Sequence, residues 1–333
     1  MPTGKRELEA QAIRQVVRQH AQARHGIFRR ADLHALGIDP SSIRTFVRRG
    51  WWARLHHGVY VDAEVFAAAV HPVDRLRIQA SAAIAALPGS VFTFGPTSAK
   101  LHGLAVDRPL LKTVSLVRPY TADQRALHRR IRTTSTLGSI SIHRRALNPG
   151  HITIADGLPS VDILDAAIST AARSVLMWAV ATLDSLLWAS PDALEALHDR
   201  VESWSGLRGI GTVRRAAQLA RHGAQNPFET ISRLRFTQAG LPEPVLQLPV
   251  YDADGLIGNV DMAWPEFMVI GEADGLLKYE NRSDLIAEKL REDRLRALGW
   301  IVVRWTWDEL MRTPHVVIAR IERAMRMAAA RIA

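Results

Sequence analysis

The stretch that decides the fold runs from Asn226 to Leu310 and contains, in order, NPFETISRLRF (226–236), LQLPV (246–250), GNVDMAWPE (258–266), VIGEADG (269–275) and EDRLRALGWIVVRWTWDEL (292–310). Asn226 followed by Pro227 reads as an N-cap with proline at the first helical position, and Glu229, three residues after the cap, completes a capping-box-like start. VLQLPVYDADG, LIGNVDMAW and FMVIGEADG then read as a three-strand antiparallel meander. Asp284 to Leu298 is helical with Gly299 as its stop, and WIVVRW (300–305) is an apolar strand. Strand, crossover helix and strand in that order predict a right-handed parallel unit. Thr306 to Glu309 forms a capping box that opens the final helices.

Chemistry concentrates in the meander. Asp261 lies in one strand, Glu272 ends the next, and Asp274 follows on the same face if the strand persists. Carboxylates converging at a strand end are costly without a cation, and hard oxygen ligands of this kind suit Mg²⁺ or Mn²⁺. Such an ion polarises a scissile phosphate and lowers the pKa of an attacking water. Lys278, four residues beyond Asp274, is the candidate to orient that water or to stabilise charge on the phosphate. Each acid also has a structural reading. Glu229 serves the cap, Asp274-Gly275 is a turn pair, Asp261 suits a turn or edge strand, and Glu272 has Arg294 or Arg304 as partners.

The order α, β, β, β, α, β, α is that of the restriction-endonuclease core, and the quoted segments resemble the Vsr-like endonucleases of the PD-(D/E)XK superfamily. The resemblance implies a phosphodiester-cleaving site in which Glu229, Asp261, Glu272 and Asp274 are the metal and catalytic acids and Gln247 supports them. Relatives commonly place histidine where this chain has Lys278, and a structural zinc site is excluded because the chain has no cysteine.

The charge lies elsewhere. The formal net charge is +10, yet Met1 to Gly150 holds 23 Lys or Arg against 9 Asp or Glu, while the rest holds 20 against 24. A segment this basic is expected to bind phosphate backbones with a salt-dependent affinity. The absence of cysteine also excludes disulfides, Fe–S clusters and a cysteine nucleophile. No apolar run approaches a membrane span and no leader pattern opens the chain, so a cytoplasmic protein with no membrane partner is expected.

Within the basic segment, Leu8 to Arg24 is helical, a short helix surrounds Ala31 to Leu36, and Asp39-Pro40 opens a third that stops at Gly50. In that third helix Ile43, Phe46 and Val47 share one face, and Ser41, Arg44, Thr45 and Arg48 share the other. WWARLHHGVYVD (51–62) reads as a hairpin turning at His57-Gly58. This order is that of a winged helix-turn-helix. It predicts Ser41, Ser42, Arg44, Thr45, Arg48 and Arg49 at the major groove, with Arg54 and His56 of the hairpin near the minor groove or backbone. A solvated basic helix face is the alternative. HGIFRRADLHALGI (25–38), SSIRTFVRRG (41–50) and RLHHGVYV (54–61) resemble the winged-helix domain of AbiEi antitoxins, and SAAIAALPGSVFTFGPTSAKLHGLAV (81–106) is similar to the segment that follows it. The resemblance implies promoter DNA as a partner, with a cognate toxin as a further one.

The chain is thus expected to be a multidomain α/β protein. Residues 1–65 form the winged helix-turn-helix, 66–157 an AbiEi-like α+β domain, 158–225 a helical connector and 226–333 a restriction-endonuclease-like α/β core. Arg125, His128, Arg129, Arg130, Arg132, His143, Arg144 and Arg145 make a second basic cluster, to be read either as phosphate contacts or as a solvated loop. His151 and His315 have no ligand partners at metal spacing. Two functions stand open: a DNA-binding protein with a Mg²⁺-dependent endonuclease domain, or an AbiEi-type antitoxin and transcriptional repressor whose nuclease fold is inert.

Overall fold

A computed structural model describes residues 3–120, 131–135, 138–274 and 282–332 of the chain. These residues form a mixed α/β protein with three sheets, and the chain divides into two compact units, Met1–Arg173 and Ser174–Ala333. The domain boundaries expected after residues 65 and 157 fall inside the first unit, and that expected after 225 falls inside the second. No helix among the described residues is long and apolar enough to cross a membrane.

The first unit begins with α1 (Thr3–Ala21), β1 (Ile27–Arg29), α2 (Arg30–Ala35), α3 (Pro40–Arg48), β2 (Trp52–His56) and β3 (Val59–Asp62). β1 is a short strand that the sequence pattern did not reveal. It pairs with β3, so the hairpin becomes a three-stranded sheet in the order β1-β3-β2. Phe28, Phe46, Trp52 and Tyr60 cluster beneath it, with Phe46 and Trp52 ring centroids 4.5 Å apart. Arg14 and Arg18 of α1 both reach the buried Asp62 at the end of β3, at 3.1 and 2.6 Å, and tie the first helix to the sheet.

After α4 (Ala63–Ala68), α5 (Pro72–Ala86) has two apolar faces. Ile78 and Ala82 pack on the three-stranded sheet, while Leu76, Ala80 and Ala83 pack on a second one. One helix thus serves two cores within the first unit. The second sheet follows β4 (Phe92–Thr93), α6 (Gly95–Leu101), β5 (Thr113–Pro119), β6 (Ile131–Ser135), β7 (Gly138–Arg145), β8 (Ile152–Ala155) and β9 (Leu158–Val161), and α7 (Ile163–Ala171) completes the unit. Its order is β6-β7-β5-β4-β9-β8, with β5 parallel to β7 and β4 parallel to β9.

The second unit opens with α8 (Leu176–Ala189), α9 (Ala193–Ser203) and α10 (Ile210–Leu219). It continues with α11 (Pro227–Gln238), β10 (Val245–Asp252), β11 (Gly255–Trp264), β12 (Val269–Asp274), α12 (Arg282–Ala297), β13 (Ile301–Thr306), α13 (Trp307–Arg312) and α14 (Pro314–Ile332). The sheet order is β10-β11-β12-β13, antiparallel except that β12 and β13 run parallel. The helix α12 crosses between the two parallel strands and buries Leu295 against Val260, Ala263 and Ile270. On the opposite face, α11 and α14 cover Met262, Trp264, Val269, Ala273 and Trp305.

Two features hold this unit. Arg233 of α11, 2% exposed, pairs with Asp184 of α8, 1% exposed, at 3.1 Å. Asp184 also accepts from the Arg221 amide and the Thr230 hydroxyl, each at 2.8 Å, so the buried charge is compensated from three directions. The second is Gly271 in β12, over which Trp264 and Trp305 close. A Cβ there would stand 2.7 Å from Trp305 Cη2 and 3.2 Å from Trp264 Cζ3. Neither indole has room to retreat inside the core, so Gly271→Ala is expected to destabilise the unit by about 2 kcal/mol through overpacking. Urea denaturation of the full-length protein measures this, and an unchanged midpoint would contradict the packing argument.

Candidate functional site

Strand parity places two carboxylates of the second unit on one side of β12. Ile270, Glu272 and Asp274 alternate onto the α12 side of β12, while Val269, Gly271 and Ala273 face the tryptophans. Asp261 lies on β11, the strand next to β12, and its negative charge acts on Glu272. The Asp261 carboxylate accepts the Ala273 amide at 2.9 Å, so a side chain satisfies a strand amide just beyond the paired register Met262↔Gly271. This bond fixes the Asp261 carboxylate beside β12.

Glu272 is 8% exposed. Burial pushes its carboxyl up to about 7, Arg291 opposes that shift, and the negative charges of Asp261 and Glu288 add to it. Arg291 Nη2 donates to Glu272 Oε1 at 3.1 Å and to the Asn259 carbonyl at 3.0 Å. The partners considered for Glu272 from sequence are engaged elsewhere. Arg294 grips Asp252 with two bonds of 2.6 Å, and Arg304 pairs with Glu288 at 2.5 Å and with Glu292. A cleft of about 660 Å³ opens beside the group and is lined by Glu272, Asp274, Glu288, Arg291, Arg294 and Arg304 among others.

Glu229 belongs to the same line across the sheet. Asn226 caps α11 by accepting the Phe228 and Glu229 amides at 2.9 and 3.1 Å, and its amide group donates to Glu229. Glu229 also accepts the Gln225 amide at 2.8 Å and the Gln247 side chain at 3.2 Å. The register Leu246↔Met262 and Leu248↔Val260 sets Gln247 opposite Asp261. Gln247 is held at φ 51°, a left-handed conformation that costs a non-glycine residue on the order of 1 kcal/mol or more. Lys278 lies outside the described residues.

These donors suit a hard divalent cation. Asp261 lies on β11 and Glu272 on the neighbouring β12, Asp274 lies two residues on from Glu272, and Glu272 is buried beside like charge. Arg291 is the member that sequence reasoning missed. Its signal was the alternation Glu288, Arg291, Glu292, Arg296 along α12, which reads alone as a solvated charged face.

The N-terminal candidates divide by what their side chains already do. Asp39 caps α3, accepting the Ser41 and Ser42 amides at 2.8 and 3.1 Å, and both serine hydroxyls also donate to it. Those bonds, the Ser41 hydroxyl first, hold the exposed Asp39 carboxyl well below the usual range. Thr45 donates to the Ser41 carbonyl at 2.9 Å. Arg44 and Arg48 are exposed, and among the described residues neither pairs with an acid. Arg49 stacks over Trp51 at 5.0 Å. In the hairpin Arg54 is exposed, while burial lowers the His56 pKa and favours its neutral form. Of the second basic cluster, residues 121–130 lie outside the described residues, and burial lowers the Arg145 pKa.

His151 is not isolated, contrary to expectation. Its ring stands 3.5 Å from Asp165, and a ligand atom of each of His151, Asp162 and Asp165 falls within 4.8 Å of the others. The turn at Pro149 to His151 abuts the start of α7, where Asp162 caps the helix through the Asp165 amide at 2.8 Å. Tertiary folding across residues 151–165 creates the group, so local spacing did not show it.

A family profile described as transcriptional regulator, AbiEi antitoxin, matches residues 15–61. Two uncharacterised proteins of Mycobacterium tuberculosis, one each from strains CDC 1551 and H37Rv, are 32% identical to this chain over 145 residues. The match covers 44% of this chain and 54% of each relative, so the chain spans about half the length of the curated relatives it matches.

The raised Glu272 pKa sets a pH dependence. Its folded value of about 7 exceeds the ordinary 4.5, so between those values the folded state keeps a proton that the unfolded state has released. Stability conferred at low pH is therefore lost as pH rises through this window and levels off above it. In chelator-treated protein a loss on the order of 3 kcal/mol between pH 4.5 and 8 is expected, and Glu272→Gln is expected to abolish most of it. Urea unfolding at several pH values tests this, with an unchanged slope in the variant as the contrary result.

Proposed function

We propose that this chain is a DNA-binding protein with two working parts: an N-terminal winged helix that lays α3 on duplex DNA, and a C-terminal restriction-endonuclease-type domain that cleaves phosphodiester bonds with Mg²⁺ or Mn²⁺. The observation that carries the proposal is the approach of Asp261 to the buried Glu272 at the border of a cleft lined by three arginines. Asp261, Glu272 and Asp274 hold the cation in this reading. Glu229, oriented through Gln247, sits at the far end of the same line. A divalent ion held by these carboxylates would supply Lewis-acid polarisation of the phosphate and activation of water. Arg294 and Arg304 line the cleft already paired with Asp252 and with Glu288 and Glu292, and Arg291 neutralises Glu272.

For DNA binding, the arrangement of α3 favours contacts from the middle of the helix. Asp39 places a negative charge at its N-terminus, which repels a phosphate there. Arg44 and Arg48 therefore carry the contacts, with Arg49 and Arg54 beside them, while Ser41, Ser42 and Thr45 chiefly shape the helix. The profile match over residues 15–61 supports a regulatory role and favours a second reading, in which the protein is an antitoxin and repressor paired with a cognate toxin and the nuclease-type domain is inert.

Two experiments test the proposal. Full-length protein with Mn²⁺ is expected to nick supercoiled plasmid, and Asp261→Asn and Glu272→Gln are each expected to reduce the rate at least about a hundredfold, comparable to loss of a principal electrostatic contributor. Cleavage that survives both substitutions overturns the site, and no cleavage by the wild type favours the repressor. In gel-shift titrations, Arg44→Ala or Arg48→Ala is expected to weaken binding and to lower the salt slope by about one each. Slopes equal to wild type would remove α3 from the interface.

A further inference from the structure

We propose that Arg291 is the resident counter-ion of the carboxylate site and that a divalent cation reaches Glu272 only by displacing this guanidinium. The inference rests on the reading of Asp261 and Glu272 as cation ligands and adds a residue that competes with the metal. Arg291 bridges the two ligand-bearing strands, with Nη2 on Glu272 Oε1 of β12 at 3.1 Å and on the Asn259 carbonyl of β11 at 3.0 Å. Its Nη1 lies 3.5 Å from Glu288 one turn away on α12. Asn259 is two residues before Asp261, so the guanidinium spans the strand positions that present the acids. The Glu272 and Arg291 side chains are only 11% and 21% exposed, so water screens the pair weakly.

A guanidinium and a hard dication seek the same carboxylate lone pairs. Both cannot stay within bonding distance of a buried Glu272 oxygen without strong repulsion. Arginine does not relieve that repulsion by losing a proton, because its pKa lies far above any working pH. Movement is the remaining route, and the cleft that Arg291 lines provides the space. A guanidinium turned into that cleft meets a phosphodiester with two parallel donors, the geometry for which arginine is suited. Arg291 thus has two positions: on Glu272 when the cation is absent, and toward the phosphate when it is present. Metal affinity in the free protein is low by construction, because the ion must first break the Glu272 pair.

The test is calorimetric titration of Mn²⁺ into full-length, chelator-treated protein without DNA, so that it reads binding rather than turnover. Arg291→Met is expected to bind Mn²⁺ about tenfold more tightly than the wild type, and Arg291→Lys, which keeps the charge but not the bridge, to fall between them. The double variant Arg291→Met with Asp261→Asn is expected to lose the gain, which assigns the heat to this site. Circular dichroism confirms folding of each variant, and if Arg291→Met fails to fold, the comparison of Arg291→Lys with wild type decides. Equal or weaker Mn²⁺ binding in a folded Arg291 variant, with the wild-type signal still dependent on Asp261, overturns the counter-ion role while leaving the metal site intact. Absence of Asp261-dependent binding in every protein overturns the metal site and the counter-ion role together.

Discussion

A carboxylate held in a protein interior must find positive charge or keep its proton, and the second unit is arranged around that constraint at Glu272. Burial there drives the carboxyl toward neutrality, and Asp261 beside it drives it further. Arg291 supplies partial relief and in doing so draws α12 onto β11 and β12. The other acid and arginine pairs of α12, Asp252 with Arg294 and Glu288 with Arg304, extend the same balance along the helix. Charge compensation therefore sets the helix position together with the buried Leu295.

The sheet that presents these groups stays in place because its other face is densely packed. Gly271 permits Trp264 and Trp305 to close directly over β12, and the Trp305 indole donates to Ser232 of α11 at 2.9 Å. Arg233 and Asp184 secure α11 to α8 from within. The acids thus project from a strand whose back is immobilised, an arrangement that favours fixed carboxylate geometry over loop-borne flexibility. The left-handed backbone at Gln247 is the one position near this line where strain is stored in a non-glycine residue of the sheet.

In the first unit the same economy of charge operates at the surface. Arg14 and Arg18 are engaged by Asp62 and Glu64, and Arg24 and Arg29 by Asp32, so much of the basic excess near the N-terminus is structural. Arg44 and Arg48 stand apart from these pairs on the exposed side of α3. A count of basic residues overstates the surface offered to a polyanion, and only the pairing pattern separates the two sets.

Much of the local structure was legible in the chain. Asn226-Pro227 and Asp39-Pro40 announce helix starts because an oxygen acceptor followed by proline satisfies the first turn, and Thr306 to Glu309 announces another. The apolar segments of residues 245–274 and 301–306 mark four strands, and alternation puts Glu272 and Asp274 on one side of theirs. What the sequence could not show is which partners meet across those elements. β1 escaped notice because three residues carry too little periodicity, and α5 concealed its double role because both of its faces are apolar. His151 met Asp162 and Asp165, and Arg291 rather than Arg294 or Arg304 met Glu272, for the same reason. Caps, strand parity and helix stops depend on neighbours a few residues away and are written in the sequence, whereas the pairing of buried charges depends on how separate elements pack and is decided only by the tertiary structure.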